Sequence, residues 1–344
     1  EVQRSIINVV QNAAATVQTA KHDTLLLKLL SRLLSTVKSS PPSRDIAMRV
    51  VQTLLVFFNA SLPSAGYSDY MNETTELLLT ILHPNSLPSG LLSEVDVRQS
   101  SALASKIYAQ YLQRTNVSSM PWDHAFAVAM EKFGSVMAKK ALCNLAPVDP
   151  MVEIQENHFI LTLRKVALSS LEGAEMKFPI LQDGTTISLV LPTKLPPALS
   201  QLMTADVQMV QHRALWTAGG EMLLSYPVSL SVSAAGEADV SRVDFGDQEV
   251  HVVLPFNASM LSPIDVQRVY RREGVSCVTW QGDIDQEQPW SSKGCRIETI
   301  RVATDETGAD VIGLGSVVCA CSHMSTFALS WREEVVRFES PTPD

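Results

Sequence analysis

Cys319–Ala320–Cys321–Ser322–His323–Met324–Ser325–Thr326–Phe327 is the stretch from which the fold and function of this 344-residue chain are read. Two cysteines stand one residue apart. A His follows two residues later, then an apolar residue, then a hydroxyl residue. A neutral imidazole takes a proton from a neighbouring hydroxyl, and the alkoxide attacks a carbonyl. The carbonyl nearest the Ser325 oxygen is that of Met324, in the same backbone. The stretch therefore points to self-cleavage between Met324 and Ser325, with the upstream chain as the scaffold that strains and holds that bond.

Working outward, the cysteines are placed unevenly. Cys143 stands alone, whereas Cys277, Cys295, Cys319 and Cys321 crowd into the last quarter. Four cysteines in one short region read as two disulfides in an oxidising compartment. Four N-x-[ST] sequons, at Asn59, Asn72, Asn116 and Asn257, agree as glycosylation candidates on an extracellular chain. The competing reading is a zinc site of Cys319, Cys321 and His323. Paired zinc cysteines are usually spaced C-x2–4-C, which leaves both thiolates room on one ion. C-x-C on a strand points both side chains to one face, as two adjacent crosslinks require. No metal or cofactor is expected. Cys143 is expected to be a buried free thiol.

Composition is that of an ordinary globular chain, 46% hydrophobic, and its length is enough for two domains. A formal net charge of -9 without a basic cluster argues against a nucleic-acid partner. The longest apolar stretch, Thr24 to Leu34, is interrupted by Lys28 and Arg32, which is not the pattern of a membrane span. No leader is visible at Glu1, and the chain reads as a piece of an ectodomain.

Residues 1–146 are predicted to be helical. The segments are Ser5 to Val37, Ile46 to Phe58, Asp69 to Leu82, Ser93 to about Leu112 and about Trp122 to Leu142. Ser93 with Asp96 forms a weak capping box. Phe126, Met130, Phe133 and Met137 make one apolar stripe, expected as bundle core. The pattern changes at Ala146–Pro147–Val148–Asp149–Pro150, the expected domain boundary. Beyond it the period is two. Phe159, Leu161 and Leu163 alternate with Ile160, Thr162 and Arg164, and similar sets occur at 187–191, 228–232 and 250–254. Short strands at this spacing predict an antiparallel β-sandwich over 147–344, so the fold class is α+β.

The final strands carry a longer series. Cys277-x-x-Trp280 comes first, then Trp290–Ser291–Ser292–Lys293–Gly294–Cys295, then Cys319-x-Cys321-x-His323–Met324–Ser325. This series, over 277–330, resembles the GPS proteolysis motif of GAIN domains, found in adhesion-type receptors and polycystin-1-like proteins. The resemblance implies a helical subdomain followed by a β-sandwich subdomain. It implies the pairs Cys277–Cys319 and Cys295–Cys321, which would pin the turn holding the scissile bond, and core positions for Trp280 and Trp290. It implies His323 as base, Ser325 as nucleophile and an ester formed by N-to-O acyl shift, then hydrolysed. The C-terminal fragment, with Phe327 in the core, would stay bound non-covalently. His83, His158, His212 and His251 lack such a context and are expected to be structural.

The tail, Val336–Arg337–Phe338 and Pro341–Thr342–Pro343–Asp344, resembles the polycystin-1 pattern. That implies the extracellular side of a plasma or ciliary membrane and a channel-type polycystin subunit as partner. Three alternatives stand beside it. One is an adhesion G-protein-coupled receptor with a tethered agonist. Another is a non-cleaving adhesion module of the same fold. The last, a conventional serine hydrolase, is disfavoured because no G-x-S-x-G elbow is present. The extracellular ligand is not legible in the sequence.

Overall fold

The computed structural model describes residues 43–59, 74–78, 93–114, 145–170, 172–179, 186–195, 203–212, 222–234, 247–258, 261–280, 290–304 and 310–332, with a few isolated residues besides. Helices α1 (Arg44–Asn59) and α2 (Glu94–Arg114) come first. Strands β1 (Val152–Gln155), β2 (Phe159–Ala167), β3 (Glu175–Pro179), β4 (Thr186–Val190), β5 (Thr204–His212), β6 (Met222–Leu223), β7 (Val228–Ala234) and β8 (Val250–Asn257) follow. Helix α3 (Pro263–Tyr270) precedes β9 (Val275–Trp280), β10 (Trp290–Ser291), β11 (Cys295–Thr304), β12 (Asp310–Cys321) and β13 (Thr326–Trp331). Strand pairing is antiparallel from β1 through β2 and β5 to β7, from β3 through β4, β8 and β12 to β11, and for β9 and β6 against β13. The described chain is thus mostly antiparallel sheet with a few helices, an α+β fold.

The chain divides into two compact units. The first holds α1, α2 and the sheet β1–β2–β5–β7. In α1, Ala47, Val50, Val51 and Leu54 recur at helical spacing and are buried, which is why this segment forms a helix with one apolar face. Its bounds lie within two residues of those expected. The capping box of α2 is reciprocal. Ser93 N donates to Asp96 Oδ2 at 2.8 Å, and Asp96 N donates to Ser93 Oγ at 3.3 Å. The turn at 146–149 is closed by Asp149 N donating to Ala146 O at 3.0 Å. Residues 74–78 are helical. Phe126, Met130, Phe133, Cys143 and most of the 5–37 and 122–142 segments lie outside the described residues.

Strand β2 departs from the expected alternation, because Phe159 to Leu163 are all buried. A strand covered on both faces reads as a continuous apolar run, and Thr162 lies buried within this one. Strand β5 falls outside the expected period-two sets. Its Asp206, Gln208, Gln211 and His212 hide a strand whose residues are almost all buried.

His212 is fully buried, and its ring Nε2 lies 3.3 Å from Ser229 Oγ. Burial pushes its pKa down to about 3. The folded imidazole stays neutral where the unfolded one, titrating near about 6.5, takes a proton. The stability it contributes is therefore complete above that unfolded value and is lost as pH falls from there toward 3. Between pH 7.5 and 5.5 this one group should cost about 1.4 kcal/mol. Denaturant unfolding of the native chain and of His212→Gln at both pH values checks this. Equal pH dependence in the two proteins would contradict it.

The second unit holds two sheets, β6–β13–β9–β10 and β11–β12–β8–β4–β3, with α3. Strand β8 shows clean period-two burial, as expected for 250–254. Helix α3 adds to the expected elements, although Ser262–Pro263 marks its start. Ser262 Oγ accepts from Asp265 N at 3.2 Å, and Pro263 opens the first turn.

Candidate functional site

Strands β12 and β13 lie in different sheets of the second unit, so the four residues between them, Ser322 to Ser325, carry the chain from one sheet to the other. Two disulfides frame this crossover. Cys277 of β9 is bonded to Cys319 of β12, joining the two sheets at a Cα separation of 5.9 Å. Cys295 of β11 is bonded to Cys321, its directly opposite residue on β12, at 4.2 Å. Cys319 and Cys321 share one face of β12, as i and i+2 must on a strand. One crosslink thus runs within a sheet and the other between sheets, and both hold β12 just before Met324.

Met324 and Ser325 are buried, at 2% and 6% exposure, while His323 is half-buried. Ser325 Oγ donates to the backbone carbonyl of Trp280 at 3.1 Å. That carbonyl orients the hydroxyl, and donation to any other acceptor needs the hydroxyl to rotate away from it. Trp280 and Trp290 are both buried and meet edge to face, ring centroids 5.2 Å apart. The two residues are directly opposed on β9 and β10.

The His323 imidazole lies beside the turn before Cys295. Cys295 N donates to Ser292 O at 3.1 Å, and Gly294 adopts a left-handed φ of 81°. Ser322 N donates to Gly294 O at 2.9 Å and Phe245 N donates to Ser322 O at 2.9 Å, so the residue preceding His323 is held on both sides. His323 Nδ1 lies 3.5 Å from Ser322 Oγ. Sequence reasoning alone does not mark Gly294, Ser322 and the Trp280 carbonyl as site groups. The Ser-Lys-Gly turn is the only local signal for the first of them.

Strand β13 is buried at every residue from Thr326 to Trp331, with Phe327 at 1% exposure. It pairs along one edge with β9, Leu329 opposite Cys277, and along the other with β6, Ser330 opposite Leu223. Leu224 N donates to Leu329 O at 2.8 Å, and Leu329 N donates to Ser225 Oγ at 2.9 Å. At its exit, Arg268 of α3 sits 5.5 Å over the Trp331 ring, and Arg332 N donates to Gly274 O at 2.9 Å.

Among the other named residues, His251 pairs with Glu298 at 3.1 Å. Asn257 is exposed at the end of β8. Asn59 is the last residue of α1, and Asn72 and Asn116 lie outside the described residues, as does His83. Among the described residues, no cluster of three or more His, Cys, Asp or Glu is arranged to hold a metal. No described helix is long and apolar enough to cross a membrane.

Residues 232–333 match the family model GPS, GAIN subdomain B. No curated protein matches the chain. Among solved structures, the full extracellular region of zebrafish Gpr126/Adgrg6 resembles it with a TM-score of 0.53 at 15% identity, a likeness of fold. That match covers 84% of this chain but only 35% of the other, so this chain spans about a third of that extracellular region.

Proposed function

Since the chain carries a GAIN domain, with subdomain B over residues 232–333, we propose that it cleaves its own backbone between Met324 and Ser325. The observation that carries this reading is the buried Met324–Ser325 bond at a sheet-to-sheet crossover framed by Cys277–Cys319 and Cys295–Cys321. His323 takes the Ser325 hydroxyl proton. The Ser325 oxygen bonds to the Met324 carbonyl carbon. The Met324–Ser325 C–N bond then breaks, the amine receiving that proton, and an ester links the fragments. Water hydrolyses the ester to the Met324 carboxylate and the Ser325 hydroxyl. The event is a single turnover in cis. Residues 1–146 are proposed as the helical subdomain, and 147–344 as the sandwich subdomain containing both sheets of the second unit.

All four paired cysteines precede residue 324, so no disulfide retains the 325–344 fragment. Packing and strand pairing alone hold it, which makes the fragment a non-covalent partner. Intact-mass measurement under reducing, denaturing conditions tests the reading. Fragments 1–324 and 325–344 are expected in place of one 37.6 kDa chain. A whole chain with both disulfides closed would overturn the reading in favour of a non-cleaving module of the same fold.

The parent is proposed to be a polycystin-1-like membrane protein, its GAIN domain on the extracellular side of a plasma or ciliary membrane. The Val336–Arg337–Phe338 tail supports this. The likeness to an adhesion receptor's extracellular region is one of fold and supports that receptor class as the second reading. Co-purification of the full-length parent with a channel-type polycystin subunit separates the two. Asn257, exposed at a strand end, is proposed to carry a glycan.

A further inference from the structure

We propose that Gly294 and Ser322 position the His323 imidazole, a role that rests on the cleavage reading. A Cβ placed on Gly294 would lie 2.9 Å from Ser322 Oγ and 3.2 Å from both Cε1 and Nδ1 of His323. The ring therefore lies against bare glycine backbone, and a Cβ at 294 would make the ring and Ser322 Oγ shift. The left-handed φ of 81° brings that backbone there, and it is open to glycine without steric cost. The arrangement cannot drift easily. Ser322 N is bonded to Gly294 O, and the disulfide between Cys295 and Cys321, the neighbours of these two residues, holds the two turns together.

Ser322 supplies the other restraint. Its Oγ faces His323 Nδ1 at 3.5 Å. In a neutral imidazole one nitrogen carries the proton and the other a lone pair. With Nδ1–H directed at Ser322 Oγ, the Nε2 lone pair is the one that takes the Ser325 proton. Gly294 sets where the plane of the ring lies, and Ser322 sets its tautomer. Neither touches the reacting atoms.

The test follows cleavage of the newly made chain over time. Gly294→Ala is expected to slow it about 100-fold, the scale of effect from a misplacement of about 1 Å. Gly308→Ala is the control for backbone strain, because Gly308 has φ 82° and open space where a Cβ would go. It should leave the rate within about twofold, since it shares the strain and lacks the contact. Ser322→Ala should slow cleavage about 3- to 10-fold, the scale of one lost orienting hydrogen bond, and Ser322→Thr should restore it. Equal rates for Gly294→Ala and Gly308→Ala would overturn the role of Gly294. If Gly294→Ala fails to close its disulfides, the Ser322 pair decides, and an unchanged rate in Ser322→Ala overturns the proposal. A second readout is independent of cleavage. In a Ser325→Ala background, the ¹⁵N shifts of the His323 ring should move with Gly294→Ala and Ser322→Ala but not with Gly308→Ala. If the native chain stays whole, the cleavage reading fails, while unmoved ring shifts sink the positioning of His323 by itself.

Discussion

Ser325→Ala is expected to abolish cleavage and leave one chain under denaturing conditions. The reason is stoichiometric. In the proposed reaction the Ser325 oxygen bonds to the Met324 carbonyl carbon, and a methyl group offers no lone pair. The same substitution removes the donor to Trp280 O, which lies at 3.1 Å in a buried setting. That loss should lower stability by about 1 kcal/mol, too little to unfold a domain of this size. The variant thus separates chemistry from folding, and its mass and thermal unfolding report on each. Ser325→Thr keeps an oxygen at the same carbon and should still cleave. Continued production of a 1–324 fragment by Ser325→Ala would assign the cut to another nucleophile or to a protease acting in trans.

Phe327→Ala should release the cleaved fragment. Phe327 is 1% exposed and lies near the start of the strand that the cut leaves attached only by packing. Truncating a buried Phe costs about 3–5 kcal/mol, from lost burial and the cavity left behind. In an intact chain that loss is shared by the whole domain. In a cleaved one it weakens retention of residues 325–344 by about two to four powers of ten in dissociation constant. What stays is the ladder to β9 and β6, the Leu224 and Ser225 contacts to Leu329, and Arg268 over Trp331. Native size-exclusion chromatography followed by mass measurement checks the outcome. The native chain should elute with its fragment and Phe327→Ala without it. Loss of the fragment from the native chain in gentle buffer would show that strand pairing does not retain it.

Much of the molecule is legible in the order of its residues. Helical spacing of Ala47, Val50, Val51 and Leu54, and the Ser93–Asp96 capping pair, depend on neighbours within one turn, so α1 and α2 are placed within about two residues of their observed bounds. Period-two burial in β8 is equally local. The ordered series of Cys, Trp, Gly, His and Ser marks the proposed cleavage region through its resemblance to the GPS motif. Other features depend on partners far along the chain. Leu329 meets Cys277 and Arg332 meets Gly274 across more than fifty residues, and nothing near either residue encodes that pairing. The same holds for the full burial of β13, where alternation predicts one core face, and for β5, whose polar residues become interior only when β2 and β7 flank it. Gly294 can be read as a turn residue. Its closeness to the His323 ring arises because β11 and β12 are registered Cys295 to Cys321, placing the turn before one strand against the turn after the other. Short-range sterics and periodicity therefore determined which segments are helix or strand, and the resemblance of one ordered motif pointed to the residues proposed to carry the chemistry. Long-range register and burial decided what surrounds those residues, because hydrogen-bond ladders and packing join positions that the linear order keeps apart.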